Sequence, residues 1–194
     1  MISDIAPVRL VGMSGSLRAG SYSNAVLETL REIFADRADL EVYDLRAIPL
    51  YDQDFEGEKR PEPVKTLLSA IAECDGLVLC APEFNHSIPG VLKNALDWAS
   101  RPAFTSVMAH KPVAIMATSH GPLGGARCLE NMRAALDSML SRVVLAREVM
   151  ITSSADKIRN GRLVDETSLG FACAAVEALL REIRLWGMAE SLGG

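Results

Sequence analysis

The chain has 194 residues, 49% hydrophobic and 23% charged, with a formal net charge of −5. That length suits one domain spanning 1–194, large enough to bury a core without disulfide or metal staples. The acidic balance argues against nucleic acid or an anionic membrane as partner, since both demand clustered Lys and Arg, and no apolar run approaches the ~18 residues of a membrane span.

In chain order the elements alternate. The N-terminus carries Asp4 where a secretory signal would be basic, so a cytoplasmic protein is expected. "VRLVGM" (8–13) reads as a buried strand, and "SNAVLETLREIF" (23–34) sets Val26, Leu30, Ile33 and Phe34 on one helical face. "LEVYDL" (40–45) alternates as a strand does. After it, "RAIPLYDQDFEGEKRPEP" (46–63) is the longest irregular stretch, and its length suits a lid or an interface. "EPVKTLLSAIAEC" (62–74) is helical through Val64, Leu67, Leu68 and Ile71. "GLVLCA" (76–81) is continuously apolar, as a strand covered on both faces must be. "PGVLKNALDWAS" (89–100) predicts a helix with Pro89 at its first position. "PVAIMAT" (112–118) is a further buried strand, "ARCLENMRAALDSML" (126–140) a helix, "VVLA" (143–146) a fifth strand and "DETSLGFACAAVEALLREI" (165–183) a closing helix. Strand–helix repeated five times predicts a parallel sheet with helices on both faces. Cys74, Cys80, Cys128 and Cys173 form no C-x-x-C pair, so reduced, buried thiols are expected and no metal site.

Ligands of such sheets bind beyond the carboxyl ends of the strands, where strand order reverses. In the order 2-1-3-4-5, three loops meet there: "SGSLRAGSYS" (14–23), "PEFNHSIPG" (82–90) and "SHGPLGG" (119–125). The first lacks G-x-G-x-x-G. Gly15 and Gly20 have the glycine spacing of a P-loop, but Ser21 and Tyr22 follow where Lys and Ser/Thr would stand. What remains is a ring of backbone N–H groups through Gly20, with the hydroxyls of Ser16, Ser21 and Ser23 and the cation Arg18, ahead of a helix N-terminus. That is a nest for a dianionic phosphate. The competing reading is a serine-rich loop that caps its own helix, with Ser23 as N-cap. In the second loop, Pro82, Asn85, Pro89 and Gly90 impose an irregular backbone that suits a flat heterocycle, with Phe84 as an aromatic surface. Alternatively, Asn85 is a turn residue and Phe84 a core residue.

"GSLRAGSYS", "IPLYD", "PEFNHSIPGVLKNALDW" and "GPLGGARCLENMRAAL" together resemble the NADPH-dependent FMN reductase family, which includes quinone, chromate and azo-dye reductases. The resemblance runs from about residue 8 to residue 180. It implies a flavodoxin-like three-layer α/β/α sandwich on a five-stranded parallel sheet. Ser16, Arg18, Ser21 and Ser23 would hold the FMN phosphate. Pro82, Glu83, Phe84, Asn85 and His86 would line the isoalloxazine and ribityl region, and Ser119 and Gly121 would close the pocket. The family usually has Tyr at the place of Phe84 and often Asn at that of Ser23. The implied chemistry takes hydride from NAD(P)H at flavin N5 and passes electrons to a small acceptor: a quinone, free flavin, azo dye or metal oxyanion such as chromate. No side-chain acid or base is then required. His86 and His120 are open between proton donation and surface or capping roles. The alternative from another class is a flavodoxin-type electron carrier without its own NAD(P)H activity. The resemblance also implies a homodimer or homotetramer, with the Trp98 helix and the 46–63 stretch as interface candidates.

Overall fold

A computed structural model describes residues 7–192; the signal-peptide reading of Asp4 lies outside the described residues. Five parallel strands form the frame: β1 (Val8–Ser14), β2 (Ala38–Tyr43), β3 (Gly76–Pro82), β4 (Pro112–Thr118) and β5 (Arg142–Val143). Their order is β2-β1-β3-β4-β5, the arrangement expected of a doubly wound sheet. β1 and β3 lie side by side, with Gly12 opposite Val78 and Ser14 opposite Cys80.

Helix α1 (Tyr22–Ile33) and the closing helix α6 (Glu166–Leu192) cover one face, over Leu27, Leu30, Val78, Met116 and Leu179. Helices α2 (Glu62–Glu73), α3 (Gly90–Ala99) and α4 (Ala126–Ser138) cover the other, over Met13, Leu67, Leu79, Leu92 and Met132. β3 and β4 read as uninterrupted apolar runs because both of their faces are covered.

Four elements differ from the sequence reading. The fifth strand is divided: β5 is followed by an irregular stretch, and β6 (Val149–Ile151) then pairs with β4 at Met116–Thr118. The run "VVLA" is therefore strand only at Val143, and Leu145 is 95% exposed. The N-cap of α1 is Ser21, whose hydroxyl accepts from the Asn24 N–H; Ser23 lies inside the helix and is buried. Pro89 caps α3 from outside, where its fixed φ and missing N–H cost nothing. A short hairpin was not anticipated: after the single-turn helix α5 (Ser154–Lys157), β7 (Ile158–Arg159) turns through Asn160 and Gly161 into β8 (Arg162–Leu163). Both turn residues have positive φ, the geometry that an Asn-Gly hairpin favours.

The 46–63 stretch forms 3₁₀ turns and folds back over α3. Asn94 receives the Tyr51 N–H at 2.8 Å and donates to the Pro49 carbonyl at 2.8 Å. The Trp98 indole N–H donates to the same carbonyl at 2.9 Å, and Tyr51 meets the indole edge-on at 5.1 Å. Trp98 is thus fully buried within the chain's own fold, and the exposed Trp98 face expected at an interface does not exist. Leu50 of the same stretch is 83% exposed.

Candidate functional site: three loops at the switch point

Between the ends of β1, β3 and β4 lies a cavity of about 320 Å³. Ser16, Arg18, Ser21, Tyr22 and Ser23 form one end. Pro82, Glu83 and Phe84 form another side, and Thr118, Ser119 and His120 close it. Its floor is held by close backbone packing. The Gly15 N–H donates to the Cys80 carbonyl at 2.9 Å, and a Cβ on Gly15 would stand 2.6 Å from that of Ala81, so only glycine permits this approach of β1's exit to β3.

The α1 end of the cavity has the donor chemistry that an anion requires. Ser21 accepts the Asn24 N–H at 3.1 Å, and its carbonyl accepts the Ala25 N–H at 3.0 Å. The first two helical N–H groups, those of Tyr22 and Ser23, have no acceptor within the helix, and they sit at the positive end of its dipole. Ser16 Oγ accepts the Arg18 N–H at 3.4 Å. The Arg18 guanidinium lies 5.0 Å over the Tyr22 ring, and Tyr22 meets His120 edge-on at 5.1 Å. Ser23 Oγ is buried against Thr118 Oγ1 at 2.8 Å, so this hydroxyl links two of the loops.

The second loop is a two-residue turn. Phe84 and Ser87 exchange both backbone hydrogen bonds, at 3.1 and 3.0 Å, while Asn85 and His86 take φ of 49° and 64°. These left-handed values at both central positions mark a type I′ geometry. Phe84 is 54% exposed, which excludes the core role and leaves its ring at the cavity. Glu83 turns away to cap α4: one carboxylate oxygen accepts the Arg127 and Cys128 N–H groups at 3.0 and 3.2 Å. His86 is held by Arg127 (3.0 Å), and its carbonyl accepts from Asn131 (3.0 Å). Asn85, His86 and Gly121 do not line the cavity, and Gly20 lines a neighbouring groove beside Ile158 and Gly161. Gly121 donates its N–H to Ser119 Oγ at 3.0 Å.

Burial pushes the Cys80 thiol up to about 12, and burial reinforced by the Glu83 charge does the same for Cys128. Neither is a thiolate at neutral pH, so no cysteine nucleophile stands beneath the cavity. Among the described residues no cluster of His, Cys, Asp and Glu could hold a metal.

The donor set at one end and the ring-sized apolar surface of Pro82 and Phe84 at the other fit a phosphate ester that carries a flat heterocycle. Residues 8–156 match the NADPH-dependent FMN reductase family. The chain belongs to that family. FMN is its cofactor and NAD(P)H its reductant, and the chain is an oxidoreductase. An NAD(P)H-dependent FMN reductase of Pseudomonas aeruginosa is 35% identical over 180 residues, 92% of this chain and 95% of that protein. A quinone reductase of Escherichia coli is 38% identical over 168 residues, 84% of this chain and 88% of that one. The flavoenzyme NAD(P)H:(acceptor) oxidoreductase FerB of Paracoccus denitrificans superposes with a TM-score of 0.82 at 28% identity, covering 91% of this chain and 97% of its own.

Two cavity residues escaped the sequence reading. Thr118 is the lone polar residue ending a buried strand, a signal that the switch-point rule makes legible. Tyr22 directly follows the serine-rich loop, but its aromatic role depends on where Arg18 and His120 turn. No helix of the described residues is long and apolar enough to cross a membrane.

Proposed function

We propose that residues 1–194 act as one FMN-binding domain that uses NAD(P)H to reduce a small planar acceptor, with quinones and free flavin as the first candidates and azo dyes and chromate behind them. The observation that carries this reading is the cavity itself, anionic-ligand chemistry at the α1 end and an exposed aromatic ring at the turn. FMN, when bound, supplies two-electron transfer between nicotinamide and acceptor. The chain's share is binding and orientation. Ser16, Ser21, the Tyr22 and Ser23 N–H groups and Arg18 hold the phosphate. The ring region is set by Pro82 and by Phe84 on its rigid turn. Glu83, Asn85, His86 and Gly121 act behind these, by fixing the turn, α4 and the third loop. A cytoplasmic setting, where NAD(P)H is available, follows from the same reading.

The purified protein is expected to be yellow, to contain FMN and not FAD, and to bleach on adding NAD(P)H alone, recovering its colour with benzoquinone. A protein that stays colourless after incubation with FMN would overturn the flavin site. One that binds FMN but is not bleached by NADH or NADPH would be an electron carrier. We further propose a homo-oligomer that covers the exposed Leu50 and Phe55 of the 46–63 stretch. A monomer by sedimentation at micromolar concentration would refute this.

A further inference from the structure

Arg46 lies outside the cavity, on the 3₁₀ turn that follows β2, yet it reaches the first loop. Its Nη2 donates to the Leu17 carbonyl at 2.6 Å. Its Nη1 donates to both oxygens of Asp44, at 3.1 Å each. Asp44 also accepts the Arg46 backbone N–H at 3.0 Å, and Leu45 between them is buried in the core. The bond from that backbone N–H, with the guanidinium, holds the Asp44 carboxyl below its usual range, so the clamp is charged throughout the neutral range. The guanidinium is therefore gripped from behind and presented to one carbonyl.

A trans peptide sets its C=O and N–H in opposite directions. Drawing the Leu17 carbonyl toward Arg46 turns the Arg18 N–H the other way, toward Ser16 Oγ; Ser16 lines both the cavity and the groove on the Arg46 side. If this peptide flipped, a carbonyl would face the anion in place of an N–H, and an attraction would become a repulsion. A groove of about 160 Å³ between Leu17, Arg18, Asp44 and Arg46 leaves space around the peptide, so packing alone does not forbid the flip.

We infer that Arg46 is a positioning residue for phosphate binding: clamped by Asp44, it fixes the Leu17–Arg18 peptide so that the Arg18 N–H faces the bound phosphate. The inference rests on the reading of Ser16–Ser23 as the phosphate loop.

The test titrates the apoprotein with FMN and with riboflavin, following the quenching of flavin fluorescence, and records melting curves without ligand. Arg46→Ala is expected to weaken FMN about five- to tenfold, the worth of one backbone hydrogen bond, and riboflavin by less than about twofold. Asp44→Ala separates orientation from charge. It removes a negative charge near the phosphate, so a purely electrostatic role for Arg46 predicts tighter FMN binding, whereas loss of the clamp predicts weaker binding. Arg46→Lys keeps the charge without the planar fork and is expected to share most of the loss. Unchanged FMN affinity in Arg46→Ala, equal losses for FMN and riboflavin, tighter FMN binding in Asp44→Ala, or full recovery with Lys would each overturn the inference. If the unaltered protein bound FMN and riboflavin equally well, the phosphate loop itself would be misread, whatever the Arg46 variants did.

Discussion

Glu83 separates two views of the second loop, as a flavin contact or as a helix cap. Its side chain is 15% exposed, and one oxygen receives two N–H groups of the first turn of α4, at 3.0 and 3.2 Å. The other oxygen lies 3.4 Å from His86 Nδ1 and 4.0 Å from the Arg127 guanidinium. Glu83→Gln retains an acceptor oxygen and the shape but deletes the charge. The helix-dipole part of that loss is about 0.3–1 kcal/mol, rising toward ~2 where partly buried, and a neutral acceptor roughly halves the strength of the two bonds. A total near 1–2 kcal/mol follows, which in a chain of this size lowers the melting temperature by about 2–8 °C. The assay is thermal unfolding of the apoprotein by far-ultraviolet circular dichroism, with FMN affinity measured alongside. The capping view expects the melting temperature to fall without ligand and FMN affinity to change little. An unshifted apoprotein melt, with FMN binding clearly weakened, would show that the carboxylate works on the flavin and refute the assignment.

Arg18→Ala is expected to weaken FMN by about 1.5–3 kcal/mol, the range for a hydrogen bond to a charged group, and riboflavin far less; equal losses in isothermal titration would make Arg18 structural. Arg37 holds Glu177 through two bonds, the longer 2.7 Å, tying the exit of α1 to α6. The bond from Arg37 lowers the Glu177 pKa. A depressed carboxylate stabilises the fold above its unfolded pKa of about 4.3, and that contribution disappears as pH falls through the folded value. Because the pair is more than one-third exposed, its worth is about 0.2–1 kcal/mol. Urea unfolding is therefore expected to find Glu177→Gln weaker than the unaltered protein at pH 7 and equal to it near pH 3; a difference independent of pH would contradict the linkage.

The sheet was legible because β3 and β4 are almost wholly apolar and β1 is apolar from Leu10 to Met13, and the helices because Leu67, Leu68 and Ile71 or Leu129, Met132 and Leu136 repeat at helical spacing. The fifth strand was not, because Val143 to Ala146 is as apolar as a strand while Leu145 faces solvent; only the pairing partner decides where β5 stops and β6 begins. In the site, glycines and hydroxyls announced the first loop; the loop does cap its helix, but through Ser21 in place of the expected Ser23, while Ser16, Arg18, Tyr22 and Ser23 line the cavity beside it. Ser23 reads from the sequence as a phosphate-binding hydroxyl or as the helix N-cap, but the return of α1 across the sheet sets its hydroxyl against Thr118, 95 residues away. Asn85 and His86 are expected from the resemblance to line the isoalloxazine and ribityl region. Positive φ at both residues instead aims His86 at Arg127, a direction that composition cannot convey.

The enclosure of Trp98 gives the protein a spectroscopic handle. Of its two tryptophans, Trp98 is sealed beneath Pro49 and Tyr51, whereas Trp186 is 42% exposed with the Arg142 guanidinium 3.8 Å over its ring. Emission from the first is shielded from iodide and acrylamide for as long as the 46–63 stretch stays docked, and emission from the second is quenched. The quencher-resistant fraction therefore counts docked stretches directly, in real time and without a label.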